Sequence, residues 1–221
     1  MIITEKKDLK EILPLIEGHK LFVIGCDICA KLCHTGGEKE VGEYCEFLQE
    51  KGFEILGKVQ LDGVCNELLT RKFIKDNQEI LNKVDTVIMA SCGNGTQVFR
   101  DLFTSAKIIP VTNTMFLGSL VNHHKFRERC SMCGECLLGL TEGICPHTEC
   151  PKGILNGPCG GSENGKCEVD RDRECAWYRI YTRLKERGKE GKLNNIFPPA
   201  NHTIDTKPRK ISDRKNEHIK K

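Results

Sequence analysis

Leu21-Phe22-Val23-Ile24-Gly25-Cys26-Asp27-Ile28-Cys29-Ala30-Lys31-Leu32-Cys33 is a short apolar run that ends in glycine and passes straight into a C-x2-C-x3-C set. Five apolar or small residues closed by Gly25 read as a buried strand, too short for a helix of the same hydrophobicity. Downstream, Val41, Tyr44, Cys45 and Leu48 recur at i, i+3, i+4 and i+7, the spacing of one helix face. Phe53 to Val59 reads as a second strand, followed by a helix with Leu68, Leu69, Phe73 and Ile74 inward. Thr86 to Ala90 is a third strand, and Val98, Phe99, Leu102 and Phe103 mark another helix. Ile108 to Val111 is a fourth, short strand. Strands separated by helices imply a parallel sheet with right-handed crossovers, a small Rossmann-like α/β domain over residues 1–125. An opening helix around Asp8 to Ile16, interrupted by Pro14, is expected outside it.

In a parallel sheet the carboxyl ends of the strands share one edge, where open α/β sheets place their ligands. Cys26, Cys29 and Cys33 follow the first strand, Cys65 follows the second and Cys92 the third. Five thiols spread along the chain therefore converge on one edge. Four thiolates suffice for a [4Fe–4S] cluster, and glycines nearby let backbone N–H groups approach it. Zinc also takes four thiolates, commonly from two C-x2-C pairs, and only one such pair is present here, so a cluster is favoured. Cys45 lies on the apolar face of its own helix and reads as a buried thiol. Gly93-Asn94-Gly95 is too short for a dinucleotide fingerprint.

Near residue 126 the character changes. The chain has 14 cysteines, eight of them between residues 130 and 175. That segment is rich in Cys, Gly and Pro and lacks an apolar period, so inorganic cross-links must supply its folding energy. Arg129-Cys130-Ser131-Met132-Cys133-Gly134-Glu135-Cys136 has the C-x2-C-x2-C spacing of a bacterial ferredoxin run, and Cys145-Pro146 supplies the closing Cys-Pro eight residues on. Cys150, Cys159, Cys167 and Cys175 complete the eight. Two four-ligand sites, one cluster plus zinc, or one cluster plus spare thiols all remain open. His147, between Cys145 and Cys150, is a lesser candidate ligand. His123 and His124 are adjacent and point apart, which argues against a thiol–imidazole pair. A helix capped by Asp172, with Trp177, Ile180, Tyr181 and Leu184 on one side, closes this domain at residue 187. Residues 188–221 form a polar, basic tail with seven Lys or Arg in its last seventeen positions. It reads as a solvated tail or as an arm for a partner subunit.

Net charge is +3, from 34 basic and 31 acidic residues, which gives no mandate for nucleic acid. No run approaches the about 18 apolar residues of a membrane span, and the first residues lack the apolar core of a signal peptide. Clustered thiols without an export signal point to metal sites in a reducing cytoplasm rather than to disulfides. No triad or paired-carboxylate site stands out, so no catalytic residue is assigned.

Two sets of motifs carry a resemblance. Gly-Ile-Cys-Pro at 143–146, Asn-Gly-Pro-Cys-Gly-Gly at 156–161 and Cys-Glu-Val-Asp at 167–170 resemble the cysteine-rich C-terminal domain family of methylenetetrahydrofolate reductase. Gly25-Cys26-x-x-Cys29-x-x-x-Cys33, Gly36-Gly37-Glu38-Lys39-Glu40-Val41 and Asn113-Thr114-x-Phe116-Leu117-Gly118 resemble the remainder of the MetV-type small subunits. The likeness covers residues 20 to about 185. Cys45 and Asp62-Gly63-Val64 depart from the pattern. The resemblance implies a non-catalytic, cytoplasmic subunit that carries iron–sulfur clusters, two expected and a third open. It would pass electrons to the FMN or FAD of a MetF-type flavoprotein in the methyl branch of the Wood–Ljungdahl pathway. Its donor would be ferredoxin or another redox subunit. The family has also been described as zinc-containing, so a structural or assembly role with zinc in the cysteine-rich domain stands as the alternative. A corrinoid or methyl-transfer accessory role is a weaker third.

Overall fold

A computed structural model of the chain describes residues 1–211; the last part of the basic tail, residues 212–221, lies outside the described residues. By its internal contacts the chain divides into two units, Met1–Glu128 and Arg129–Lys221.

The first unit is built on a four-stranded parallel sheet. Its strands are β2 (Lys20–Cys26), β3 (Glu54–Leu61), β4 (Thr86–Ala90) and β5 (Lys107–Pro110), in the order β3-β2-β4-β5. Alternation along the two central strands explains the layering. Phe22, Ile24, Val87 and Met89 face one side, where Phe99 of α6 (Gly93–Leu102) and Phe73 of α4 (Glu67–Asp76) cover them. Leu21, Val23, Ile88 and Ala90 face the other and meet Val41, Tyr44 and Leu48 of α3 (Glu38–Glu50). The sheet is thus covered on both faces, which is why its central strands read as continuous apolar runs. The parallel α/β arrangement expected from the sequence is present.

A second, antiparallel sheet was not expected. β1 (Ile2–Lys6) pairs with β6 (Thr112–Asn122), and β7 (Lys125–Cys130) pairs beyond it, in the order β1-β6-β7. The opening helix is shorter than predicted. It comprises one turn, α1 (Leu9–Ile12), capped by Asp8 through Lys10 N–H, and a 3-10 turn that begins where Pro14 enters. The inward face assigned to α4 also needs correction. Leu68 is 78% exposed and Leu69 46%, and the buried residue is Thr70, whose hydroxyl donates to Val64 O at 2.8 Å. Phe73 and Ile74 do turn to the core.

Among its described residues the second unit has two α-helices, α7 (Pro146–Glu149) and α8 (Ala176–Glu186), and two later 3-10 helices, Glu190–Asn194 and His202–Asp205. Isolated bridges join Lys166 to Glu163 and to Glu174, forming a small knuckle. An apolar cluster among the described residues comprises Ile144, Cys175, Ala176, Trp177, Ile180 and Leu184, with Cys150, Leu193 and Phe197 against it. Asp172 does not cap α8, as had been expected. Its N–H is taken by Asp170 Oδ1 at 3.0 Å in a local turn, and Cys175 occupies the cap position. Tyr181 stays at the exposed margin while Trp177, Ile180 and Leu184 are buried. Among the described residues no helix is long and apolar enough to cross a membrane.

Candidate metal centres

The first candidate site lies at the carboxyl edge of the parallel sheet. Cys26 is the last residue of β2, and Cys29 opens α2 (Cys29–Leu32). Cys65 sits in the turn after β3, immediately before Asn66, whose side chain accepts from Leu68 N and Leu69 N to cap α4. Cys92 follows β4 by one residue and caps α6. The loop after α2 closes over these strand ends: Cys26 N–H donates to Gly36 O at 3.0 Å. A β-carbon on Gly36 would collide with the carbonyl of Ala90, so only glycine lets the loop come this close.

Three of the predicted thiols lie close enough to a fourth, Cys65, to act on it. Partial burial pushes the Cys65 thiol above its ordinary range, and the thiols of Cys92, Cys26 and Cys29 add to that push. Cys33 is not among them. It is buried on the side of β1, with its Sγ 3.7 Å from Ile2 O. Cys45 lies inside the core under α3, and burial raises its thiol too.

The second sheet supplies what the sequence reading missed. Thr112 Oγ1 of β6 donates to Ser91 O at 2.5 Å, and Gly93 N–H donates to Thr114 Oγ1 at 2.7 Å. These two bonds clamp the Ser91-Cys92-Gly93 turn from both sides and so aim Cys92. Thr4 of β1 and Thr35 share a hydrogen bond at 2.6 Å, which anchors the loop after α2 in the same way. Thr112 and Thr114 bracket Asn113 in one of the quoted motifs, but nothing in spacing alone shows that a strand there reaches back to Cys92.

In the cysteine-rich unit the thiols fall into two neighbourhoods. Cys130, Cys133 and Cys136 share one loop, in which Met132 N–H donates to Cys130 Sγ at 3.3 Å and Cys133 Sγ donates to Glu135 O at 3.4 Å. Cys130 and Cys136 are exposed and Cys133 is half-buried. Cys145 precedes α7, with Pro146 as that helix's first residue. Glu149, which sequence reasoning passed over, receives Arg129 at 3.1 Å and Arg179 at 3.0 Å, tying the start of the thiol loop to α8.

Around the knuckle, Cys167 and Cys175 are buried, held by Cys167 N–H to Arg173 O at 3.0 Å and Cys175 N–H to Gly165 O at 2.8 Å. Cys159 Sγ donates to Glu168 Oε2 at 3.5 Å, and the same carboxylate pairs with Lys152. The hydrogen bond to Glu168 raises the Lys152 ammonium above its ordinary range, with smaller contributions from Cys159 and Cys167 nearby. His147 lies on α7, and His123 and His124 serve the first unit. The His123 carbonyl accepts from His34 Nε2 at 2.9 Å, and the His124 ring lies 5.4 Å from that of His34.

Among the described residues no group of three or more His, Cys, Asp or Glu side chains is set closely enough to hold one metal ion. A single zinc with Zn–S near 2.3 Å draws its thiolates to about 3.8 Å of one another. A [4Fe–4S] cluster instead takes one thiolate at each of four irons, and four thiols at one sheet edge are a donor set of that chemistry.

Residues 109–203 match the family model described as methylene-tetrahydrofolate reductase C terminal, from the end of β5 through the cysteine-rich unit and past α8. No curated protein and no solved structure matches the chain.

Proposed function

We propose that this chain is the iron–sulfur electron-transfer subunit of a methylenetetrahydrofolate reductase, delivering electrons to the flavin of a MetF-type partner. The observation that carries this reading is the quartet of Cys26, Cys29, Cys65 and Cys92. It is drawn from three separate strand ends, with Cys33 turned away. The family match over residues 109–203 supports the reductase context. Bound there, an iron–sulfur cluster supplies one-electron transfer, which a flavin can accept one step at a time. The protein's own part is to bring thiols from three strand ends to one edge and to aim Cys92 through Thr112 and Thr114. The electron donor would be ferredoxin or another redox subunit, and the setting the cytoplasm.

A second reading is favoured for part of the molecule. Cys167 and Cys175 are both buried, and Cys175 belongs to the apolar cluster around Trp177, which suits a metal that holds the fold. Zinc there would leave the first unit redox-active and the second structural.

The test is iron, acid-labile sulfide and zinc per chain in anaerobically purified protein, wild type against Cys92→Ala and Cys33→Ala. Cys92→Ala should lose about four irons with matching sulfide, together with reductase activity, and still bind the flavoprotein. Cys33→Ala should keep its iron. Equal iron in all three proteins would overturn the quartet, and zinc without iron would overturn electron transfer.

A further inference from the structure

The tail expected either to float or to reach a partner instead turns back on its own unit as far as Arg209. Asn156 grips the backbone of Phe197 at both ends, Phe197 N–H donating to Oδ1 at 2.7 Å and Nδ2 donating to Phe197 O at 2.9 Å. The Phe197 ring lies 6.3 Å from that of Trp177. Pro198-Pro199 follows, a stiff pair with fixed φ and no N–H to give. Beyond it Asn201 N–H reaches Glu135 Oε2 at 3.4 Å, and Arg209 Nη1 donates to Met132 O at 2.7 Å while pairing with Asp205 at 3.4 Å. A β-carbon placed on Gly134 would stand 3.5 Å from both Arg209 Nη1 and Ile204 Cδ1. Between this segment and the thiol loop is a cavity of about 220 Å³, lined by Cys133, Glu135 and His147 below and by Asn201, His202 and Asp205 above.

We propose that residues 200–209 are a hinged cover over the Cys130–Cys136 loop, pivoting at Pro198-Pro199 and latched by Arg209. The two ends are unequal. The anchor combines an aromatic contact with two backbone hydrogen bonds, whereas the far end depends on exposed polar contacts to Met132 O and Glu135. Local opening takes the weaker end first. In the closed state the half-buried Cys133 and His147 face the partly open cavity beneath this segment, while Cys130 and Cys136 remain exposed. A partner that must reach the Cys133 side of the loop has to displace the cover, and one that docks on Cys130 or Cys136 does not. This holds whether or not the loop carries metal.

Hydrogen exchange on the full chain as purified tests the cover, comparing wild type, Arg209→Ala and a chain ending at Pro199. Amides of residues 131–136 should exchange about tenfold faster without the latch, the worth of one charged hydrogen bond, and at least as fast after truncation. Residues 165–175 should be unchanged in both. Unaltered exchange at 131–136 in both variants overturns the cover. So does an equal rise at 165–175, since the change would then be a general loosening of the unit.

Discussion

In the α/β unit four thiols reach one edge because strands with their own hydrophobic core carry them there. In the cysteine-rich unit eight thiols are placed by turns around a single apolar cluster centred on Trp177. The first unit has two apolar layers, one on each face of a parallel sheet; Cys26 borders one and Cys45 the other, while Cys29, Cys65 and Cys92 belong to neither. Among the described residues the second has one small apolar cluster, and Cys175 belongs to it with Cys150 packed against it. A unit with two extensive apolar layers can fold before any metal arrives, whereas one whose small cluster includes its thiols is expected to depend on a metal to form.

That contrast predicts a large separation on metal removal. Under a strong chelator in anaerobic conditions, the cysteine-rich unit should lose its structure while the α/β unit keeps it. Trp177 is the chain's one tryptophan, so its fluorescence reports the second unit alone. A red shift of Trp177 emission, with hydrogen-exchange protection retained in β2 and β4, is the expected result. Loss of protection in both units at the same chelator concentration would break the comparison.

A smaller effect is expected where the second sheet braces the first site. Thr114→Val keeps the shape of the side chain but removes the acceptor for Gly93 N–H. The bond is exposed, so water can take up the freed donor and its loss costs about 0.5–1.5 kcal/mol, and it loosens the turn that aims Cys92. Thermal unfolding of the α/β unit should fall accordingly, and iron content should fall with it. Thr114→Ser restores the oxygen and should restore both. If Thr114→Val destabilises the unit and leaves its iron unchanged, β6 supports the fold without aiming the thiol.

The parts of this architecture that were legible in the sequence share one physical property, burial with a period. β2 and β4 are covered on both faces and read as unbroken apolar runs. α3 buries Val41, Tyr44, Cys45 and Leu48 at helical spacing. From these alone, parallel pairing sends Cys26, Cys65 and Cys92 to one edge. β1 and β6 escaped because apolar and polar residues are mixed along them without a clean period, and the sheet they form has partly exposed faces. Leu68 and Leu69 misled in the opposite way, being apolar at helical spacing yet turned to solvent. Cys33 could not be separated from Cys29 by spacing, since what turns it away is the carbonyl of Ile2 on a strand the sequence does not announce. The return of the tail onto the cysteine-rich unit depends on Asn156 and Arg209, two polar residues whose partners lie 41 and 77 positions away.

The smallest expected effect concerns the core side of the same comparison, where a thiol serves packing alone. Burial raises the Cys45 thiol, and burial followed by the nearby Glu40 and Glu43 carboxylates raises the Tyr44 hydroxyl far beyond its usual range. Each group therefore holds its proton more tightly in the folded chain than in the unfolded one. The stability this contributes is complete below the unfolded values, about 8.5 for a thiol and about 10 for a phenol. It is lost as pH rises through the raised folded values. The α/β unit should thus weaken in urea as pH climbs above about 8.5, with the thiol's share appearing first. Cys45→Ala removes that share, so its stability should fall less steeply between pH 8.5 and 10 than that of the wild type. Identical slopes would mean that Cys45 ionises as freely in the fold as in the open chain, contradicting its place on the buried face of α3.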